Sequence, residues 1–409
     1  MSPGTPDRSS DHPSYWEIVG LQFRKRRASY VAAWCLVGLI LVAILAPAIA
    51  CNKPFLWRQG DGSVSSPWLE ALFDRNFFES SLDLFFNSVL FPGSVFLVPL
   101  ALLWRRAGIH ELRVRRRRRL RILLTGAALW TLAFVVVLLV AGSKPKQIYP
   151  VLQQRLEAQG TSVLALYPPL PYSFRDVDLG RVRSSASFEH PLGTDNAGRD
   201  VLARLLYGTR ISLAVGLFAV LLYITIGTVI GALAGYCGGR TDAVLLRLIE
   251  VVMSIPAVFL VLTVAAFIEH RSIFHIVLVI AAVSWTTPAR LVRAEFLRLR
   301  NLDFVVAARA SGFGEAAIIV KHILPNALGP VLVSATFGIA SAILIEATMS
   351  FLGLSDVTAP SWGQILNAGR TSGRWLLILA PGMAIFVTVG LLNMVGEGLR
   401  DALDPSLRR

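Results

Sequence analysis

The chain has 409 residues, 54% of them hydrophobic and only 16% charged, where ordinary soluble domains carry roughly 25% charged residues, so most soluble folds are excluded. Its 40 Lys+Arg against 26 Asp+Glu give a formal charge of +14, with a mean hydropathy of +0.60. A nucleic-acid binder reaches that charge without that apolarity; the pairing points to an all-α polytopic membrane protein whose cytoplasmic loops collect Lys and Arg.

Residues 1–29 are polar, and the apolar run that follows has no small-residue cleavage pattern behind it, which reads as a cytoplasmic segment and a signal anchor. A bilayer takes roughly 20 apolar residues as helix, and eight segments qualify: 30–50, 86–104, 122–142, 211–235, 243–268, 273–292, 327–352 and 376–398. The second is interrupted by Pro92 and Pro99; the fifth carries Arg247, Glu250 and Pro256 and reads as one kinked span. FRKRR at 23–27 and the arginine-rich stretch at 105–121 place both flanking loops inside, and alternation then puts both termini in the cytoplasm. In that arrangement 24 of the 40 basic residues lie in cytoplasmic segments. RRRRR at 115–119 reads as a topological anchor facing anionic lipid. Residues 143–190 read as an irregular external loop, and 197–210 as a short amphipathic helix along the interface.

Cys35, Cys51 and Cys237 form no CxxC pair, and the six histidines form no HExxH spacing, so no metal or cofactor site is expected. Asp195, Arg199 and Asp200 have no histidine or nucleophile placed to join them, and a capping or interfacial role is expected. Ionisable groups at membrane depth are costly and face the bundle interior. Glu346 is the foremost of these, open equally to lining a pathway and to an interhelical hydrogen bond. Glu250, three residues from Arg247, pairs with it on one helical face; Asn393 and Glu397 lie toward the inner end of the eighth span. Trp362 is expected to anchor a loop at the outer interface.

LDFVVAARASGFGEAAIIVKHILPNALGP at 302–330 is the most informative stretch. Phe304 to Arg309 can form a short helix, with Ala307 and Ala308 leaving room for another surface, Gly312 supplying a positive φ, and Pro325 in the first turn of the next span. On local physics this is either a rigid knob or an ordinary amphipathic loop.

This segment resembles the EAA loop of ABC-importer permeases of type I fold. Ala307, Ala308 and Gly312 occupy the motif's Ala-Ala and Gly positions, Leu324-Pro325 closes it, and Val306 replaces its leading glutamate; Glu315-Ala316-Ala317 is out of register. HPLGTDNAGRDVLARLLYGTRISL, AGYCGGRTD, IPAVFLVL, KHILPNALGP, EATMSFLGLS and APSWGQIL, in that order, resemble the C-type permeases of dipeptide and oligopeptide importers. IACNKPF and YPPLPYSF are closest to the Yej-type branch, linked to peptides such as microcin C. The resemblance implies six core spans, with 51–189 as an insert holding two more, an interfacial segment at 190–210, a transmembrane domain at 211–398 with its coupling loop at 302–326, and a cytoplasmic tail at 399–409. It assigns ATPase coupling to Phe304, Val306, Ala307, Ala308, Arg309, Gly312, His322, Pro325 and Asn326, while Glu346, Glu250 and Asn393 are pathway or gate candidates as polar groups within spans.

No GxxxxGK[ST] phosphate loop occurs, so the energy must come from partners or an ion gradient. The resemblance implies a non-catalytic peptide-import subunit in a bacterial inner membrane, with a second homologous permease, two ABC ATPase subunits and an external binding protein. A stand-alone secondary transporter or channel, a nickel-type importer and a membrane sensor are the alternatives.

Overall fold

The computed structural model describes residues 15–60, 62–94, 112–140, 149–267, 272–356 and 358–404. Helix α1 (Tyr15–Lys25) leads into α2 (Arg27–Ile49), an apolar helix that holds Pro47 and ends where Ala50 turns to extended backbone. Strands β1 (Leu56–Gln59) and β2 (Val64–Ser65) precede α3 (Pro67–Ala71) and α4 (Ser81–Ser88), which runs on through a π turn at Val89–Gly93. Next come α5 (Leu112–Val140), α6 (Tyr149–Ala158) and β3 (Val163–Leu166).

The region expected to be irregular is therefore partly ordered. β1 pairs antiparallel with both β2 and β3, with Trp57 opposite Ser65 and Ala165. Trp57 is buried and packs edge-on against Tyr149 of α6, ring centroids 5.0 Å apart. This small cap is tied to the end of α2 by the Ala50–Leu170 bridge and by Trp68, whose Nε1 donates to Pro47 O at 2.7 Å. Asn52 Nδ2 donates to Asp176 Oδ1 at 2.8 Å; burial pushes that carboxyl above its ordinary pKa.

The centre of the bundle is α7 (Val201–Cys237), 37 residues and about 55 Å long at 1.5 Å per residue. It absorbs both the segment expected to lie along the interface and the fourth span. Arg204 and Arg210 are buried because they meet acceptors on other elements. Asp200 caps α7, accepting from Ala203 N at 2.7 Å. The other oxygen of Asp200 lies 2.8 Å from Nδ1 of His190, so a histidine does join this acidic pair, brought there by the turn at Gly193 and Gly198.

The remaining helices are α8 (Gly239–Met253), α9 (Ala257–Ala266), α10 (Ile273–Ser284), α11 (Thr286–Leu299), α12 (Asp303–Ala310), α13 (Glu315–Phe351), α14 (Trp362–Ser372) and α15 (Trp375–Leu403). The expected fifth span is bent by 76° between α8 and α9, where Pro256 caps α9, and the sixth by 43° between α10 and α11. Among the described residues, four helices are long and apolar enough to cross a bilayer, six if each bent pair is one span. Two shorter apolar helices, Ser81–Phe91 and Arg121–Val136, fall where the second and third spans are expected. Part of that second span and residues 105–111 lie outside the described residues.

Glycines at four-residue intervals seat α11 on α7. A Cβ on Gly227 would stand 2.7 Å from Pro288 Cγ, one on Gly235 2.7 Å from Arg293 O, and one on Gly231 would collide with Ala289 O. Two backbones at van der Waals distance are the small-xxx-small solution to packing helices without a hydrophobic drive. Trp362 is not an interfacial anchor. It is 1% exposed, sits against Gly208 of α7 and donates from Nε1 to Leu205 O at 3.2 Å, which satisfies its only polar atom inside the bundle.

Candidate functional site

Helix α12 stands off the bundle between α11 and α13. Its C-terminus closes as a Schellman turn: Gly312 N donates to Arg309 O at 3.0 Å, Phe313 N to Ala308 O at 3.2 Å, and Gly312 has φ +79°. Val305 and Ala308 are buried with Val292, Phe296 and Leu299 of α11 and Ile318, Ile323, Ala327 and Val331 of α13. Phe304, Val306, Ala307 and Arg309 are exposed on the other face. Of the two adjacent alanines, then, only Ala307 leaves room for a partner; Ala308 holds the helix to the bundle, because neighbours on a helix point about 100° apart.

The next span starts earlier than the sequence indicates. α13 runs from Glu315 through a π segment at Ile318–Ile323, and Leu324 N donates to Ile319 O, five residues back. That wider register accommodates Pro325, which has no N–H and whose ring would crowd the carbonyl four residues before it. Asn326 Nδ2 donates to His322 O at 2.6 Å, and the His322 ring meets Phe313 edge-on at 5.2 Å, so the exit of the loop is braced. Glu315 lies 3.5 Å from Arg309 Nε, an exposed pair worth little in water. Arg300 Nη1 donates to Gly235 O at 2.9 Å, satisfying a carbonyl at the end of α7.

Two cavities open beside this arrangement. The larger, about 1000 Å³, has Arg290, Arg293, Arg298, Arg400 and Asp404 in its lining. Three of those arginines have side-chain partners: Arg293 Nη2 donates to Asp242 at 2.7 Å, Arg298 Nη2 to Glu295 at 2.8 Å, and Arg290 Nη1 to Met253 Sδ at 3.4 Å. The smaller, about 410 Å³, lies at the α8–α9 bend, with Tyr223, Ser284, Thr286, Thr287, Ser334 and Ser341 as its polar lining and, among the described residues, no Asp, Glu, Lys, Arg or His.

Of the residues singled out from the sequence, Asn326 lines the larger cavity; Glu250, Glu346 and Asn393 line neither. Glu250 is exposed and pairs with Arg247 Nη1 at 2.8 Å, as its spacing indicates. Glu346 is fully buried, accepting from Ser212 Oγ of α7 at 3.0 Å and Ser350 Oγ at 2.6 Å, an interhelical hydrogen bond. Asn393 is half-buried on α15, and Glu397 is exposed near Arg26. Sequence reasoning missed Phe337 and Tyr223, aromatic residues inside apolar runs. It also missed the 227–231–235 glycine interval, which was there to be read.

The family described as binding-protein-dependent transport system inner membrane component matches residues 227–409, and the N-terminal TM domain of oligopeptide transport permease C matches residues 14–62. The oligopeptide transport system permease protein of Haemophilus influenzae is 40% identical over 244 residues, 58% of this chain and 78% of that protein. The dipeptide transport system permease protein of Bacillus subtilis is 37% identical over 254 residues, 60% of this chain and 79% of that one. The glutathione transport system permease protein of Pectobacterium atrosepticum is 38% identical over 247 residues, 58% and 80% of the two chains.

Proposed function

We propose, because this chain belongs to the family of binding-protein-dependent transport inner-membrane components and within it to the dipeptide and oligopeptide permeases, that it forms half of the route through an ATP-driven peptide importer. A second, homologous permease supplies the other half, two ATPase subunits supply the energy, and an external binding protein delivers the peptide. ATP hydrolysis resides in those partners, and this chain contributes no catalytic group. In this reading both termini and the 302–326 loop are cytoplasmic, residues 51–189 are an insert with two further spans, and the cap faces outward.

The observation that carries the reading is α12. It is short, closed by a glycine in the left-handed region, exposes Phe304, Val306 and Ala307, and is rooted by Val305 and Ala308 in α11 and α13. Those two helices also line both cavities. A rigid-body pull on α12 by closing ATPases therefore reaches the cavity walls through packed side chains, which transmit displacement because close-packed interiors deform little. Val306 in place of an acidic residue makes the contact one of shape and apolar area.

The test is purification of the full chain from native membranes in mild detergent. Co-purification of an ATPase pair and a second permease, with ATP hydrolysis stimulated by peptide-loaded binding protein, is the expected result. An isolated chain that transports by itself would overturn the reading.

A further inference from the structure

Helix α13 lines both cavities, and it does so in chain order. Asn326, Gly329, Pro330 and Val333 face the arginine-lined cavity; Ser334 and Phe337 face both; Gly338, Ser341, Ala342 and Ile345 face the neutral one. From Asn326 to Ile345 the helix rises about 28 Å at 1.5 Å per residue, close to the roughly 30 Å hydrocarbon core of a bilayer. The two cavities are thus stacked along the axis of one spanning helix, and their shared lining falls at its middle. Besides Ser334 and Phe337, only Thr287 of α11 among the described residues lines both, and Phe337 is the one bulky side chain of the three.

The shared level is braced from two sides. Across it, α15 presents Gly396, where an added Cβ would stand 3.0 Å from Phe337 Cζ, so the ring tip rests on bare backbone. One residue on, Gly338 leaves the space that the Tyr223 hydroxyl of α7 occupies. Gly338 must be glycine because the Tyr223 hydroxyl takes the volume of a Cβ, and a Cβ on Gly396 would press against the Phe337 ring. The chemistry changes across the same level, from four arginines and an aspartate on one side to hydroxyl and apolar groups on the other.

We infer that Phe337 divides the substrate route into two compartments, a neutral chamber at the α8–α9 bend and a basic vestibule at the level of α12, and that its ring controls passage between them. This rests on the reading above for which end is cytoplasmic and for what passes.

Thiol labelling tests the divider without any substrate. In the full chain, with Cys35, Cys51 and Cys237 replaced, Ser341→Cys reports the neutral chamber and Asn326→Cys the vestibule. Inside-out membrane vesicles are treated with a membrane-impermeant maleimide. With Phe337 present, Asn326→Cys labels quickly and Ser341→Cys slowly. Phe337→Ala raises the Ser341→Cys rate about tenfold, the effect of removing about 1.4 kcal/mol from a barrier, while Asn326→Cys is unchanged. Phe337→Leu, which keeps apolar packing, gives an intermediate rise and guards against a folding defect. Equal rates at the two positions with Phe337 in place, or a Ser341→Cys rate indifferent to both replacements, would overturn the inference. If Asn326→Cys labels only from the outer face, the proposed topology fails instead, and the relative rates from that face still judge the divider.

Discussion

The Nε of Arg210 donates at 2.6 Å to the carbonyl of Ala43, the acceptor left without its helical partner because Pro47, four residues on, has no N–H. The same guanidinium reaches Ile44 O at 3.2 Å, Asn87 Oδ1 at 2.9 Å and Asp83 Oδ1 at 3.2 Å. One fully buried arginine on α7 therefore repairs the proline site in α2 and binds α4, which comes from the stretch between the two family matches. Asp83→Ala leaves that charge buried and unpaired, a loss of about 3–5 kcal/mol by analogy with broken buried pairs. Thermal unfolding in detergent should show a large drop for Asp83→Ala and a small one for Pro47→Ala, which returns the missing donor. An Asp83→Ala chain that melts like the parent would refute the pairing.

The glycine interval on α7 makes a second comparison. Gly231→Leu forces α11 away from α7 and should cost about 1–3 kcal/mol or more, as overpacking does. Gly390→Leu on α15 meets nothing within 4 Å of its Cβ and should unfold near the parent temperature. Melting curves of the two variants in one detergent decide it.

Cys51 should be inert. It is buried just past the end of α2, and burial pushes its thiol up to about 12. A raised pKa keeps the neutral thiol: at pH 8 only about one part in ten thousand is thiolate, the reactive form. Maleimide labelling read by mass spectrometry should modify exposed Cys237 and leave Cys51 unmodified from pH 6 to 9. Rapid modification of Cys51 in folded protein would contradict its placement.

Glu346 separates a hydrogen-bonding from an ionic role. Glu346→Gln keeps an acceptor for the Ser212 hydroxyl and a polar contact for Ser350, and should fold and assemble normally. Glu346→Ala leaves two buried hydroxyls without it and should cost about 1–3 kcal/mol. Comparing the yield of assembled complex and its melting temperature checks both; a Glu346→Gln variant as unstable as Glu346→Ala would point to a required charge.

Of the eight expected spans, the four long apolar helices and the two bent pairs were legible, as was the short helix α12, because each is written in contiguous residues: an apolar run, a glycine, a proline. What escaped was set by residues far apart in the chain. Nothing local to Arg210 announces acceptors at Ala43 and Asp83, so an arginine near a helix start reads as interfacial. Trp362 reads as an interface anchor until Leu205 O is found 157 residues away. The cap sheet was missed because β1 and β3 are four residues each and more than a hundred residues apart. The smaller cavity lies at the 76° bend at Pro256, and a proline announces a kink without its angle. Phe337 gives no contrast within an apolar span, whereas Glu346 does; the charged residue drew attention, yet the aromatic one lines both cavities.

If α12 transmits ATPase closure to the bundle, the link depends on the turn at Gly312. At φ +79° a β-branched residue costs about 1–2 kcal/mol locally and reshapes the turn. Gly314, two residues on, has no such φ and open space around it, so Gly314→Ala serves as the control. The decisive measurement is ATP hydrolysed per peptide taken up by proteoliposomes holding the whole assembly. Gly312→Val should assemble and hydrolyse ATP while uptake falls away, with Gly314→Ala keeping the parent ratio. Parent-level uptake by Gly312→Val, at parent levels in the membrane, would contradict the account.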